Sequence, residues 1–183
     1  MGDTIVQLNI IIIGFKDQAI EEISMALIHS FTYEAYNVLA RKILIRSLYE
    51  YFPAPWIELF FIRLGEGVIS PVISRANADI VIALDPQLSL LVQEFAKPNT
   101  SYVLTNNIFH LAKSNLEKDT LRRIFLSLHA LTENVYILDE AKLMKHYEEQ
   151  CSGSEFKILI SAAIIGAINK FEIIPLKRNA YLI

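Results

Sequence analysis

Apolar residues fill positions 5–13 almost without a break, interrupted only by Gln7 and Asn9, and the run stops at Gly14. A β-branched run of this kind predicts a strand buried on both faces of a parallel sheet. The spacing then changes. Ala19, Ile20, Ile23, Ala26 and Leu27 recur at helical intervals, with Glu21 and Glu22 on the other side. Asp17 is placed to cap that helix by accepting bonds from its first free amides. The chain therefore opens as strand, turn, helix.

The same alternation continues to the end of the chain. Residues 36–51 fit a strand, a helix or one after the other, whereas residues 56–64 and 68–70 flank Gly65-Glu66-Gly67 as the arms of a hairpin. Residues 78–86 predict an apolar strand closing on Asp85 and Pro86, and Pro86 suits the first turn of a helix over 87–95. Further strands are expected at 101–107 and 134–139, and helices at 116–131, 141–149 and 155–170, the last apolar on most faces and expected to be buried. Strands alternating with helices predict an α/β fold: one Rossmann-like domain over residues 1–183, with a mostly parallel sheet, helices on both faces and a β-hairpin insertion. No repeat, low-complexity tract or Pro/Gly-rich linker divides it.

Composition changes the picture in one respect. The chain is 53% apolar with a mean hydropathy of +0.35, above the ~45–50% of ordinary soluble domains. The longest apolar stretch inside a helix, residues 158–168, falls short of the ~18–20 residues that cross a bilayer, so no membrane association is expected. Residues 1–4 lack the positive start of a secretory leader, and the single cysteine, Cys151, suits a reducing cytoplasm. The apolar excess then implies a large core or a permanent interface, which resembles a core cut in half. Net charge is −3, and basic residues cluster no further than pairs such as Arg122-Arg123 and Lys177-Arg178, so no nucleic-acid partner is expected.

Ligands of open α/β sheets bind beyond the carboxyl ends of the strands, where strand order reverses. Two turns qualify: Gly14, Phe15, Lys16, Asp17 and Gln18 after the first strand, and Asp85-Pro86 after residues 78–84. Amides at the start of the helix could hold an anion. Against this, Phe15, Lys16 and Ala19 carry Cβ atoms where a phosphate loop has glycines, and Asp17 sets negative charge in the way. Lys16 offsets this in part, and the ordinary strand-to-helix turn is the favoured reading. Asp85 is the best single polar candidate, with helix capping as its simpler role; Asp79, at the opposite strand end, is expected to be structural. No nucleophile elbow, phosphate-loop lysine or His-Glu-x-x-His helix is present. His29, His110, His129 and His146 are scattered, with His110 alone following a strand end; His146 and Cys151 do not complete a metal set. No catalytic residue and no metal site are expected.

The order of segments resembles the gamma subunit, or gamma domain, of the 2-oxoacid:ferredoxin oxidoreductases, including the small subunit of indolepyruvate oxidoreductase. That family opens with a strand, Gly-x-Gly-Gly-Gln-Gly and a helix; here Gly14 and Gln18 stand in register, with Lys16, Asp17 and Ala19 in place of later glycines. The block through Arg63, Ser70-Pro71, Asp79 and Asp85 matches well, and Ile165-Gly166-Ala167 and Pro175-Leu176 are similar to the family's closing segments. Residues 53–55, Pro-Ala-Pro, stand where the family carries Arg-Gly-Gly. The resemblance implies an accessory subunit that binds no cofactor itself. Thiamin diphosphate and iron–sulfur clusters on other subunits would run the oxidative decarboxylation of a 2-oxoacid. The alternatives are a free-standing Rossmann-like protein that binds a nucleotide or flavin at residues 14–18, and a degenerate scaffold pairing with itself as a homodimer.

Overall fold

The computed structural model describes residues 7–16, 18–33, 37–46, 56–106, 115–139, 142, 145 and 153–170. One six-stranded sheet runs in the order β2-β3-β1-β4-β5-β6, formed by β1 (Gln7–Phe15), β2 (Val38–Arg46), β3 (Trp56–Gly65), β4 (Ala78–Ala83), β5 (Ala96–Thr105) and β6 (Val135–Leu138). β1, β4, β5 and β6 are mutually parallel, while β3 runs antiparallel to both β1 and β2. The mostly parallel sheet expected from the alternation is present.

The hairpin differs in detail from the sequence reading. Residues 68–70 form no strand. β3 instead takes β2 as its antiparallel partner, in register from Val38 opposite Leu64 to Arg46 opposite Trp56. Gly65 and Gly67 do adopt the positive φ values (125° and 72°) that a turn asks of glycine, but the chain leaves the sheet there. This resolves the ambiguous residues 36–51 in favour of a strand over Val38–Arg46. The expected helix at 141–149 lies mostly outside the described residues, as do Pro53–Pro55, His110, His146, Cys151 and Pro175-Leu176.

Four consecutive isoleucines, Ile10–Ile13, are fully buried, and they serve both faces of the sheet in turn. Ile10 and Ile12 pack with Ile80, Ile82 and the helices α1 (Ile20–Tyr33) and α3 (Gly153–Lys170). Ile11 and Ile13 pack with Val81, Ala83, α2 (Asn115–His129) and a 3₁₀ helix (Pro86–Phe95) on the other side. Each such side chain contributes roughly 1.5–3 kcal/mol by leaving water. The helix expected over 87–95 is 3₁₀ throughout, an uncommon length for that form. Along one stripe, Pro86, Ser89 and Val92 are buried and Phe95 half-buried at three-residue intervals, one per 3₁₀ turn, with Leu88 buried beside them. Phe95 closes the stripe edge-on against Phe61, ring centroids 5.5 Å apart.

α3 corrects a second expectation. It is buried along one stripe only, Ile160, Ser161, Ile164 and Ile168, whereas Ile158 stays 63% exposed and Ala162 and Gly166 face outward. An evenly apolar helix gives no periodicity from which to tell its covered side.

Tyr102 of β5 is fully buried, and among the described residues its hydroxyl has no hydrogen-bond partner. Desolvation pushes its pKa from 10.0 up to about 12. The unfolded chain therefore gives up this proton first, and stability contributed below pH 10 is lost between pH 10 and about 12. Tyr102→Phe is expected to leave neutral-pH stability unchanged or raised and to abolish this alkaline loss, on the order of 2 kcal/mol. Urea denaturation as a function of pH reads it; an unchanged alkaline slope would contradict the assignment.

Candidate functional site

The connection from β1 runs to α1 on one face of the sheet, and the one from β4 runs to the 3₁₀ helix on the other. β1 and β4 are adjacent and parallel, so the strand order reverses between them. Their carboxyl ends define the crevice where ligands of this architecture sit. Gly14, Phe15, Lys16 and Gln18 lie on its β1 side and Asp85 on its β4 side. The described candidates thus stand at the strand-end edge; Asp17 falls outside the described residues.

Among the described residues, the chain's own groups tie the two sides of that crevice together. Gln18 Oε1 accepts a hydrogen bond from the Phe15 amide at 2.8 Å, and Gln18 Nε2 donates to the Leu84 carbonyl at 2.8 Å. The Thr105 hydroxyl donates to the same carbonyl at 2.7 Å, and the Leu84 amide donates to Ile13 O at 3.0 Å. One carboxamide thus joins the end of β1 to the end of β4. Gly14 makes room for it: a Cβ there would meet Gln18 Oε1 at 2.6 Å and Ile20 Cδ1 at 2.8 Å. The glycine thus gives the chain's own side chains room to pack against the end of β1.

Backbone donors that a phosphate loop would turn outward are spent inside. Besides Phe15, the Lys16 amide donates to Trp56 O at 3.1 Å and the Gln18 amide to Phe15 O at 2.9 Å. The Phe15 ring points into the core, 1% exposed, while Lys16 is exposed. Asp85 is buried too, and its Oδ1 accepts from the Gln87 amide at 2.9 Å, the capping role weighed from the sequence. Asp79 lies at the opposite strand end, as expected. There it accepts from the Asn9 amide at 2.7 Å and pairs with Lys97. Arg63 continues this clasp, donating to Asn9 Oδ1 at 2.8 Å and to the carbonyls of Ser70 and Val72. The block through Arg63, Ser70 and Asp79 therefore fixes the loop after β3 to the amino ends of β1 and β4.

Sequence reading missed one charged pair beside the crevice. Glu58 stands opposite Gly14 in the β1–β3 register and is only 4% exposed. Lys42 Nζ, 3.0 Å away, neutralises it and lies 3.5 Å from Glu21 in the first turn of α1. The hydrogen bond to Glu58, foremost, raises the Lys42 pKa above 10.5, against the cost of desolvation. A lone carboxylate inside the apolar run 56–64 was the available signal. His29 and His129 sit on α1 and α2, and among the described residues no group of three or more acids, histidines or cysteines could hold a metal. No helix among them is long and apolar enough to cross a membrane.

No protein-family model and no curated protein matches this sequence. Solved structures do share the fold. The chain resembles the pyruvate oxidoreductase subunit PORC of Thermotoga maritima, at 16% identity and a TM-score of 0.57, over 96% of this chain and 82% of that one. It resembles the gamma subunit of a keto/oxoacid ferredoxin oxidoreductase from Geobacter sulfurreducens at 7% identity and a TM-score of 0.57, over 96% and 81%. It also aligns with the 2-oxoglutarate:ferredoxin oxidoreductase of Magnetococcus marinus at 11% identity and a TM-score of 0.60, over 96% of this chain but 26% of that longer one. The fold is thus one found in gamma subunits of 2-oxoacid:ferredoxin oxidoreductases.

The geometry makes two substitutions informative. Gln18→Ala strands the Phe15 amide, while Leu84 O keeps Thr105, so the expected cost is about 2 kcal/mol. Gly14→Ala should cost about 1–3 kcal/mol by displacing Gln18 and Ile20. Because both act through one contact, the double variant is expected to cost less than the sum in chemical denaturation. Strict additivity would show that the two residues do not share it.

Proposed function

We propose that the chain is an accessory, non-catalytic subunit of a 2-oxoacid:ferredoxin or related acceptor oxidoreductase, of the pyruvate or indolepyruvate type, working in the cytoplasm. It binds no cofactor of its own. Thiamin diphosphate and iron–sulfur clusters sit on partner subunits, which carry out the oxidative decarboxylation. The observation that supports this reading is the crevice at β1 and β4: in a fold shared with such gamma subunits, Gln18 ties the two strand ends together and Phe15 is drawn into the core, where a nucleotide loop would keep open glycines. The same packing disfavours a free-standing nucleotide- or flavin-binding protein.

The surface supports an assembly role. Ile69 is 94% exposed, Leu126 and Ile158 more than half, and Leu90, Leu91 and Leu131 lie open on the side of the 3₁₀ helix and α2. Leu121, Phe125 and Leu126 line a shallow depression on α2 with Arg122 and His129 at its margin. Exposed apolar ground of this sort marks surfaces that partners cover.

Affinity purification of the tagged chain from its native cells is expected to bring down thiamin-dependent and iron–sulfur subunits in fixed stoichiometry. Calorimetry with adenine dinucleotides and flavins is expected to show no binding. A tight nucleotide complex, with no such subunits recovered, would overturn the proposal.

A further inference from the structure

β2 forms one border of the sheet. It is in unbroken register with β3 along nine residues, and among the described residues no strand pairs with its outer side. Such a border offers a row of free main-chain donors and acceptors, which proteins commonly blunt with proline, a bulge or charge. β2 contains no proline, and its register with β3 shows no bulge. Its middle is aliphatic: Ile43, Leu44 and Ile45, with Leu44 53% and Ile45 38% exposed. Arg41 and Arg46 bracket this triad.

The charges are not equivalent. Lys42 is already engaged by Glu58 and Glu21. Arg41 and Arg46 are exposed, and among the described residues no carboxylate lies within pairing distance of either. Strand alternation sets Leu44 and Arg46 on the α1 side, and Arg41, Ile43 and Ile45 on the other. Each side of the border thus presents one unengaged guanidinium next to exposed aliphatic surface.

We propose that the outer edge of β2 docks an extended segment of a partner polypeptide in which two carboxylates, five positions apart, enclose one small polar residue opposite Lys42 and three aliphatic residues. Main-chain pairing would add this segment as a seventh strand, as in strand-addition recognition. One carboxylate would meet Arg41 and the other Arg46, on opposite faces, with the aliphatic residues against residues 43–45. A second copy of this chain fits poorly. Antiparallel pairing of triad against triad would set Arg46 of each copy opposite Lys42 of the other, and like charges in that position repel. The inference does not rest on the oxidoreductase reading; it requires an acidic extended partner, whatever that partner's chemistry.

Trp56, the sole tryptophan, lies opposite Arg46 and reports on this edge. The test titrates the full chain with a capped synthetic peptide carrying two glutamates five positions apart, with one serine and three valines between them. Controls replace the glutamates with lysine or the central valine with proline. The expected result is a saturable, salt-sensitive shift in Trp56 emission with the glutamate peptide alone. Affinity should fall about tenfold for Arg41→Glu with Arg46→Glu, and the lysine peptide should then bind that variant. Should the reversal unfold the chain, Arg41→Gln with Arg46→Gln is expected to weaken binding several-fold. No saturable signal, equal binding of the lysine peptide to the unaltered chain, or unchanged affinity in the variants would overturn the proposal. So would stoichiometric disulfide dimers of a Leu44→Cys chain, because they would place a second copy on this edge.

Discussion

One side-chain carboxamide sets the character of this molecule. Gln18 reaches from the start of the α1 turn to both strand ends, taking the Phe15 amide with its oxygen and giving its nitrogen to Leu84 O. A buried amide without a partner costs about 1–3 kcal/mol, so once Phe15 is drawn into the core its N–H must be answered from within. Gln18 answers it, and Gly14 is the residue without a Cβ that lets it do so. Among the described residues, the floor of the strand-end crevice is tied from within by this carboxamide.

Away from the crevice, the surface carries much of the remaining apolar area. The apolar fraction that looked excessive for a chain of this length is divided between two dense layers around β1 and a scatter of exposed aliphatic residues. Those exposed residues are spread over α1, α2, α3, the 3₁₀ helix, the loop after β3, β6 and the β2 border rather than gathered in one cleft. Such a distribution suits a part held on several sides. At the amino ends of the strands, Arg63, Asn9, Asp79 and Lys97 fix the loop that carries Ile69, so its exposed apolar side chain is presented from a tethered backbone.

Much of this was legible in the sequence, where local pattern and tertiary outcome agree. The run of isoleucines announced a strand buried on both faces, Asp85 before Pro86 announced a capped helix start, and Asp79 fell at the strand end away from ligands. The misreadings share a physical cause. Residues 36–51 carry both strand and helix spacing, and the choice rests on β3, a remote partner. Gly65 and Gly67 signal a turn but cannot say whether the chain returns to the sheet. α3 is apolar on every side, so its exposed face is set by α1 and not by its own pattern. Gln18 looked like the remnant of a glycine loop because its second partner, Leu84, is 66 positions away. Glu58 went unnoticed for the same reason: its neutralising Lys42 comes from another strand.

The exchange rate of the Phe15 amide hydrogen tests the central claim most directly. If Gln18 closes the crevice from within, this amide is protected to the same degree as the Ile11 and Ile13 amides of β1, and adding nucleotides or flavins leaves its rate unchanged. An amide that exchanges freely in the isolated chain, and becomes protected only when a nucleotide is added, would show the crevice to be an open ligand site.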